Sequence, residues 1–166
     1  MSLTPRDENL PLSKFESMLK TNSVYFFDSA EFEEIIHYYL ELGKNPLAKK
    51  AIKLGLEQHP NSINLKLLHV EVLVFEGELE KATTLLNTLK ALEPNNEEVY
   101  VQQANILSKK NEHQQAITML KSALAFTDDK ADIYAIIGME YLFLDNFEEA
   151  RLNFAKCLEV DYEDYS

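Results

Sequence analysis

The chain is poor in the residues that bend, crosslink and anchor a polypeptide. Four glycines and five prolines in 166 residues form no Gly/Ser or Pro tract, which excludes a flexible linker and argues for one continuous domain. The single cysteine, Cys157, excludes an internal disulfide. It takes the place of a small residue on the apolar side of a helical stretch, so its expected role is packing. No apolar run approaches the ~18 residues of a helical membrane span. Cations are scarce as well: 16 Lys and Arg face 28 Asp and Glu, a net charge of −12. That balance opposes binding to nucleic acid, whose affinity comes largely from Lys and Arg on phosphates. It opposes adsorption to anionic membranes for the same reason. What remains is a surface with excess carboxylate and a weak bias towards neutral or basic partners. Met1-Ser2-Leu3-Thr4-Pro5-Arg6-Asp7-Glu8 lacks the basic start and apolar stretch of a signal peptide, so the expected location is cytoplasmic.

Signatures of chemistry are missing too. His37, His59, His69 and His113 form no H-E-x-x-H pattern and have no second ligand at zinc spacing. His69 falls on an inward helix face and reads as a core histidine. His59 precedes Pro60 and reads as a solvated residue at a helix end. Gly43, Gly55, Gly77 and Gly138 are isolated, so there is no phosphate-cradling loop. The paired carboxylates Glu33-Glu34, Glu97-Glu98 and Glu148-Glu149 lie near helix starts, where negative charge suits the helix dipole. No nucleophile has a partnered base nearby. The expectation is a non-enzyme with no cofactor and no metal.

What the chain does have is a period. Ala48, Ala82, Ala116 and Ala150 are each 34 residues apart, with no insertion between them. Units of 29–62, 63–96, 97–130 and 131–164 keep other positions in step. Position 4 holds Phe32, Lys66, Tyr100 and Tyr134; position 11 holds Tyr39, Leu73, Leu107 and Tyr141. Position 24 holds Ile52, Leu86, Leu120 and Phe154; position 27 holds Gly55, Leu89, Ala123 and Cys157. Position 32 holds Pro60, Pro94, Asp128 and Asp161. Each unit carries two amphipathic helical stretches with apolar residues at i, i+3, i+4 and i+7. In the fourth, Ile133, Ile136, Ile137, Tyr141 and Leu144 mark helix A, and Phe147, Ala150, Phe154 and Leu158 mark helix B. Short polar turns separate them: Gly43-Lys44-Asn45, Gly77-Glu78, Lys110-Asn111-Glu112 and Asp145-Asn146. Gly and Asn suit the left-handed residue that closes a helix. Pro46 suits the first turn of helix B, and Pro60 and Pro94 end it.

This order of a bulky aromatic, a small residue, Tyr, Ala, Phe and a closing Pro resembles the tetratricopeptide repeat. The resemblance covers Ser29 to Asp164. It departs at Lys66, at Asp128 and Asp161 in place of Pro, and at Ile36 and Val70 where a small residue is usual. It implies an all-α fold: a right-handed α-solenoid of helix-turn-helix repeats, with the alanines where helices A and B approach most closely. It also implies a protein-interaction scaffold or adaptor, of the kind found in longer bacterial-type proteins of this family.

In that family the A helices line a concave face through positions 2, 5, 9, 12 and 13. Carried onto this chain, unit 1 supplies Ala30, Glu33, His37, Leu40 and Glu41, and unit 2 supplies Asn64, Leu67, Glu71, Val74 and Phe75. Unit 3 supplies Glu98, Val101, Asn105, Ser108 and Lys109; unit 4 supplies Asp132, Ala135, Met139, Leu142 and Phe143. Leu67, Val74, Phe75, Val101, Met139, Leu142 and Phe143 would make an apolar strip flanked by Glu33, Glu41, Glu71, Glu98 and Asp132. Such a strip suits an apolar, basic partner segment from another protein or peptide. In the competing reading, Leu67, Phe75 and Phe143 pack between neighbouring A helices. Family members that clamp acidic chaperone tails carry Lys, Asn and Arg where this chain has Glu33, His37, Leu68, Glu98 and Gln102. A carboxylate clamp is therefore not expected.

The ends are read separately. Residues 1–28 form an N-terminal tail and short capping helix: Leu12, Phe15, Met18 and Leu19 have helical spacing, with Ser13 as N-cap and Glu16 completing a capping box. Val24-Tyr25-Phe26-Phe27 either covers the first A helix or folds into a groove; the cap is the favoured reading. Met1 to Asn9 is expected to be disordered. Residues 165–166 form the C-terminal end, with no helix to cover unit 4. Two expectations follow: the chain continues beyond Ser166, or it forms a homodimer through that uncapped repeat. A self-assembly module, or a regulatory module of a larger multidomain protein, is the alternative to the adaptor.

Overall fold

A computed structural model describes residues 10–163, and the expectations for Met1–Asn9 and for residues 165–166 lie outside them. Among the described residues there are nine helices and no strand. They are α1 (Leu10–Thr21), α2 (Ser29–Glu41), α3 (Asn45–Gln58), α4 (Ile63–Phe75), α5 (Leu79–Leu92), α6 (Glu97–Lys109), α7 (His113–Ala123), α8 (Lys130–Phe143) and α9 (Phe147–Glu163). Helices α3, α5, α7 and α9 begin at Asn45, Leu79, His113 and Phe147, a constant step of 34 residues.

Every A–B turn is built the same way. Gly43, Gly77, Asn111 and Asp145 carry the positive φ angles, 68°, 78°, 61° and 56°. In each turn the next N–H donates back to the first helix: Lys44 to the Tyr39 carbonyl at 2.8 Å, Glu78 to Leu73 at 2.9 Å, Glu112 to Leu107 at 2.9 Å and Asn146 to Tyr141 at 3.0 Å. This is the six-to-one bond of a Schellman closure, which satisfies carbonyls the ending helix leaves free. In the fourth turn the left-handed residue is Asp145, and Asn146 caps the following helix by accepting from Glu149 N–H at 3.2 Å. Pro46 lies in the first turn of α3, where its missing N–H costs nothing.

The helices gather into two compact units, Met1–Val72 and Leu73–Ser166. In the first, Phe15, Phe27, Phe32, Ile36 and Tyr39 are almost wholly buried with Ala48, Ala51 and Leu65. Their rings pack edge to face, Phe27 against Phe32 at 5.4 Å and Phe15 against Phe27 at 6.3 Å. Gly55 lets this happen: a Cβ there would stand 3.1 Å from the Phe32 ring. Ser13 is interior to α1 rather than its N-cap, because the helix starts three residues earlier, at Leu10. Asp28 instead forms a capping box on α2, its side chain accepting from Glu31 N–H at 2.8 Å and the Glu31 carboxylate from Asp28 N–H at 3.3 Å. Glu33 and Glu34 therefore sit beyond the first turn, whereas Glu97, Glu98, Glu148 and Glu149 lie in theirs.

In the second unit Ala116, Ile117, Leu120, Ala123, Ile137 and Ala150 form the core. Gly138 is the tightest point: a Cβ would come within 2.7 Å of the Phe154 ring. α7 stops at Ala123, and the following turn carries Phe126 against the Tyr100 ring at 4.9 Å. α8 starts one residue before the repeat boundary, with Asp129 accepting from Asp132 N–H at 3.5 Å.

Candidate interaction surfaces

Within the first unit, Asn22–Asp28 is an irregular strap tied to the end of α3. Gln58 accepts from Phe27 N–H at 3.0 Å and donates to the Tyr25 carbonyl at 2.8 Å. His59 Nε2 lies 2.6 Å from the Phe27 carbonyl, so the proton is on Nε2. Its ring also meets Phe26 and Phe32 at 5.3 and 6.0 Å. His59 is thus a structural tie rather than a solvated end, since an imidazole with a buried carbonyl to satisfy is held inward. The strap buries Phe27 and leaves Val24 and Phe26 82% and 75% exposed.

Of the residues the family register places in the groove, this unit exposes His37, Glu41, Asn64 and Glu71, half-buries Glu33 and Leu40, and buries Leu67. Leu67 is covered because apolar residues occupy most of the circumference of α4, so burial extends past its inward face and leaves Asn64 and Glu71 in solvent. His69 is half-buried, and burial, with Lys49 nearby, lowers its pKa. Tyr39 is pushed up to about 12 by burial and by Glu16, whose carboxylate accepts from its hydroxyl at 3.4 Å.

The second unit buries Val74 and half-buries Val101, Asn105 and Glu98. Phe75, Met139, Leu142 and Phe143 are 69%, 49%, 38% and 61% exposed, and Lys109 and Asp132 also face solvent. On α6 a polar ladder runs along one side: Gln102, almost fully buried, donates to Glu98 at 2.7 Å and accepts from Asn105 at 3.4 Å.

One cluster escaped the sequence reading. His113 Nδ1 lies 2.7 Å from Glu140 Oε2, both side chains nearly buried, and the imidazole stacks on Phe143 at 4.8 Å and 11°. This short hydrogen bond in a nearly buried setting orients the ring, and the ring stacks on Phe143. The signal was present at position 10, where Tyr38, Val72 and Ile106 precede Glu140: one carboxylate in an otherwise bulky column.

A cleft of about 180 Å³ is lined by residues of α5, α6 and α7, among them Leu86, Ile106 and Met119. It is smaller than the ~300–1,000 Å³ usual for small-ligand sites. Among the described residues no cluster of His, Cys, Asp or Glu is spaced for a metal, and no helix is long and apolar enough to cross a membrane.

Comparison with known proteins agrees with this architecture. A family model described as "Tetratricopeptide repeat" matches residues 97–129 and 131–164. No curated protein matches the sequence. Among solved structures, a thermophilic TPR protein of Thermus thermophilus superposes with a TM-score of 0.73 at 22% identity, over 89% of this chain and 80% of that one. MamA from AMB-1 gives 0.62 at 18% identity, over 97% and 99%. MamA from Desulfovibrio magneticus RS-1 gives 0.62 at 14%, over 99% and 100%. The family model thus recognises residues 97–164 as tetratricopeptide repeats, and the same turn and helix pair recurs in the two units before them.

Proposed function

We propose that the protein is an interaction scaffold that holds a segment of another protein against its A helices. The observation that carries this reading lies within the second unit. There α8 presents Met139, Leu142 and Phe143 to solvent instead of burying them, and Asp132 is exposed on the same helix. Large apolar side chains left exposed on a folded surface mark contact sites, and carboxylates beside them favour a partner that adds basic residues. A helical segment with an apolar stripe and Lys or Arg at its margins fits that chemistry. In the first unit, His37, Leu40, Glu41, Asn64 and Glu71 offer a more polar surface, which would contribute less to affinity.

The test is selection of helical peptides from a displayed library on the intact chain, followed by titration against a Met139→Glu, Phe143→Glu variant. Recovered peptides should be apolar and basic, and the variant should bind them about tenfold or more weakly. Peptides that bind the variant as well as the parent would place contact elsewhere.

Self-assembly is the second reading, favoured by α9, which exposes Phe147, Leu152 and Leu158. Light scattering after gel filtration separates the two. A Leu158→Glu variant becoming monomeric while Phe143→Glu does not would assign self-association to α9. Phe154 is unsuitable for this purpose because it packs on Gly138.

A further inference from the structure

Charge is unevenly spread along the chain. Residues 1–72 hold ten acidic and eight basic side chains, whereas residues 73–166 hold eighteen and eight. The contrast sharpens between Lys44 and Lys66, where five lysines meet one acidic residue, Glu57. Three of these, Lys49, Lys50 and Lys53, stand on one side of α3 and are all exposed, while Ala48, Ala51, Ile52 and Gly55 are buried on the other. With a rise of ~1.5 Å per residue the three Cα atoms span only about 6 Å along the axis. The matching positions on α5 are Thr83, Thr84 and Asn87, so the repeat itself does not require cations there. Lys50 and Lys53 make no ion pair among the described residues. His69 on the next helix, whose pKa is lowered first by burial and then by Lys49, faces this charge.

We infer that the lysine face of α3 is a second docking surface, and that it takes a short acidic segment of another protein. Charge complementarity selects the sign of the partner. The rest of the molecule selects its size. A long polyanion such as a nucleic acid, or an extended anionic bilayer, is opposed by the net charge of −12 of the chain. A run of three or four carboxylates is short enough to remain over the three lysines. The surface lies on a helix B, distinct from the A-helix surface of the proposed scaffold, so either reading can fail without the other.

The experiment uses fluorescence anisotropy on the intact chain with four probes. They are a labelled Glu/Ala dodecapeptide, its Gln/Ala counterpart, a single-stranded DNA of equal charge, and phosphatidylserine vesicles. The Glu peptide should bind and weaken about tenfold between ~50 and ~300 mM salt, while the Gln peptide should not bind. A Lys49→Gln, Lys50→Gln, Lys53→Gln variant should lose about tenfold in affinity with an unchanged helical circular dichroism signal, since Gln is nearly as good a helix former as Lys. A Lys81→Gln, Lys130→Gln variant should match the parent. Equal binding of the Gln peptide, or full affinity in the triple variant, overturns the inference. Tighter lysine-dependent binding of DNA or vesicles overturns the choice of partner, as does salt-sensitive self-association abolished by the triple variant.

Discussion

Gly138 and Phe154 are one steric unit. The helix pair α8–α9 closes over a backbone with no Cβ, and the 2.7 Å approach leaves no room for a methyl group. Gly138→Ala should therefore destabilise the chain by about 1–3 kcal/mol, although Ala is the better helix former. Gly138→Ala with Phe154→Leu should recover part of that loss, and a double-mutant cycle by urea unfolding measures the coupling. Tyr39 makes the second residue-scale prediction. Its folded pKa, about 12, lies above the ordinary value of 10.0, so its contribution to stability is complete below about pH 10 and is lost as pH rises towards 12. Tyr39→Phe should flatten that alkaline fall in a pH series of thermal melts. His69 has the opposite sense: with a folded pKa below the ordinary 6.5, its contribution is present above that value and is lost as pH falls below it.

At the scale of elements, turn chemistry governs. Four left-handed residues close four A helices, two of them Gly and two Asn or Asp. Gly43→Ala should cost about 1 kcal/mol, and Asp145→Gly should be neutral or stabilising by up to about 1 kcal/mol, read from denaturant midpoints. Helix pairs, turns and alanine contacts were legible in the sequence because each repeats at a fixed distance and local rules decide it. The start of α1 was not, because Ser13 offers a capping side chain that tertiary packing of Phe15 and Met18 overrides. The inward turn of His59 was not legible either, since it depends on the Phe27 carbonyl, 32 residues away in sequence. Leu67 and Val74 show the limit of a family register: it assigns a direction to a position, but a helix that is apolar over most of its circumference is covered on more than one side. The His113–Glu140 pair left a trace in the sequence only as one carboxylate in a bulky column; its partner lies 27 residues away, where no local rule points.

For the whole molecule, net charge sets the conditions. With −12 spread over 166 residues, self-repulsion opposes folding at low ionic strength. Raising salt from ~20 to ~300 mM should raise Tm by a few degrees, measured by calorimetry, because screening relieves more like-charge repulsion than attraction. The turn hydrogen bonds have a different kind of consequence. Each is closed by atoms five residues apart within one turn, from Tyr39 and Lys44 through Tyr141 and Asn146. A cut-and-splice of 34 residues in phase at the unit boundary therefore leaves every A–B closure whole, because the donor and acceptor of each closure stay on the same side of the seam. The chain is in this sense editable in whole units: a duplicated 97–130 segment should express and fold as a longer array, whereas a 33- or 35-residue insertion should not.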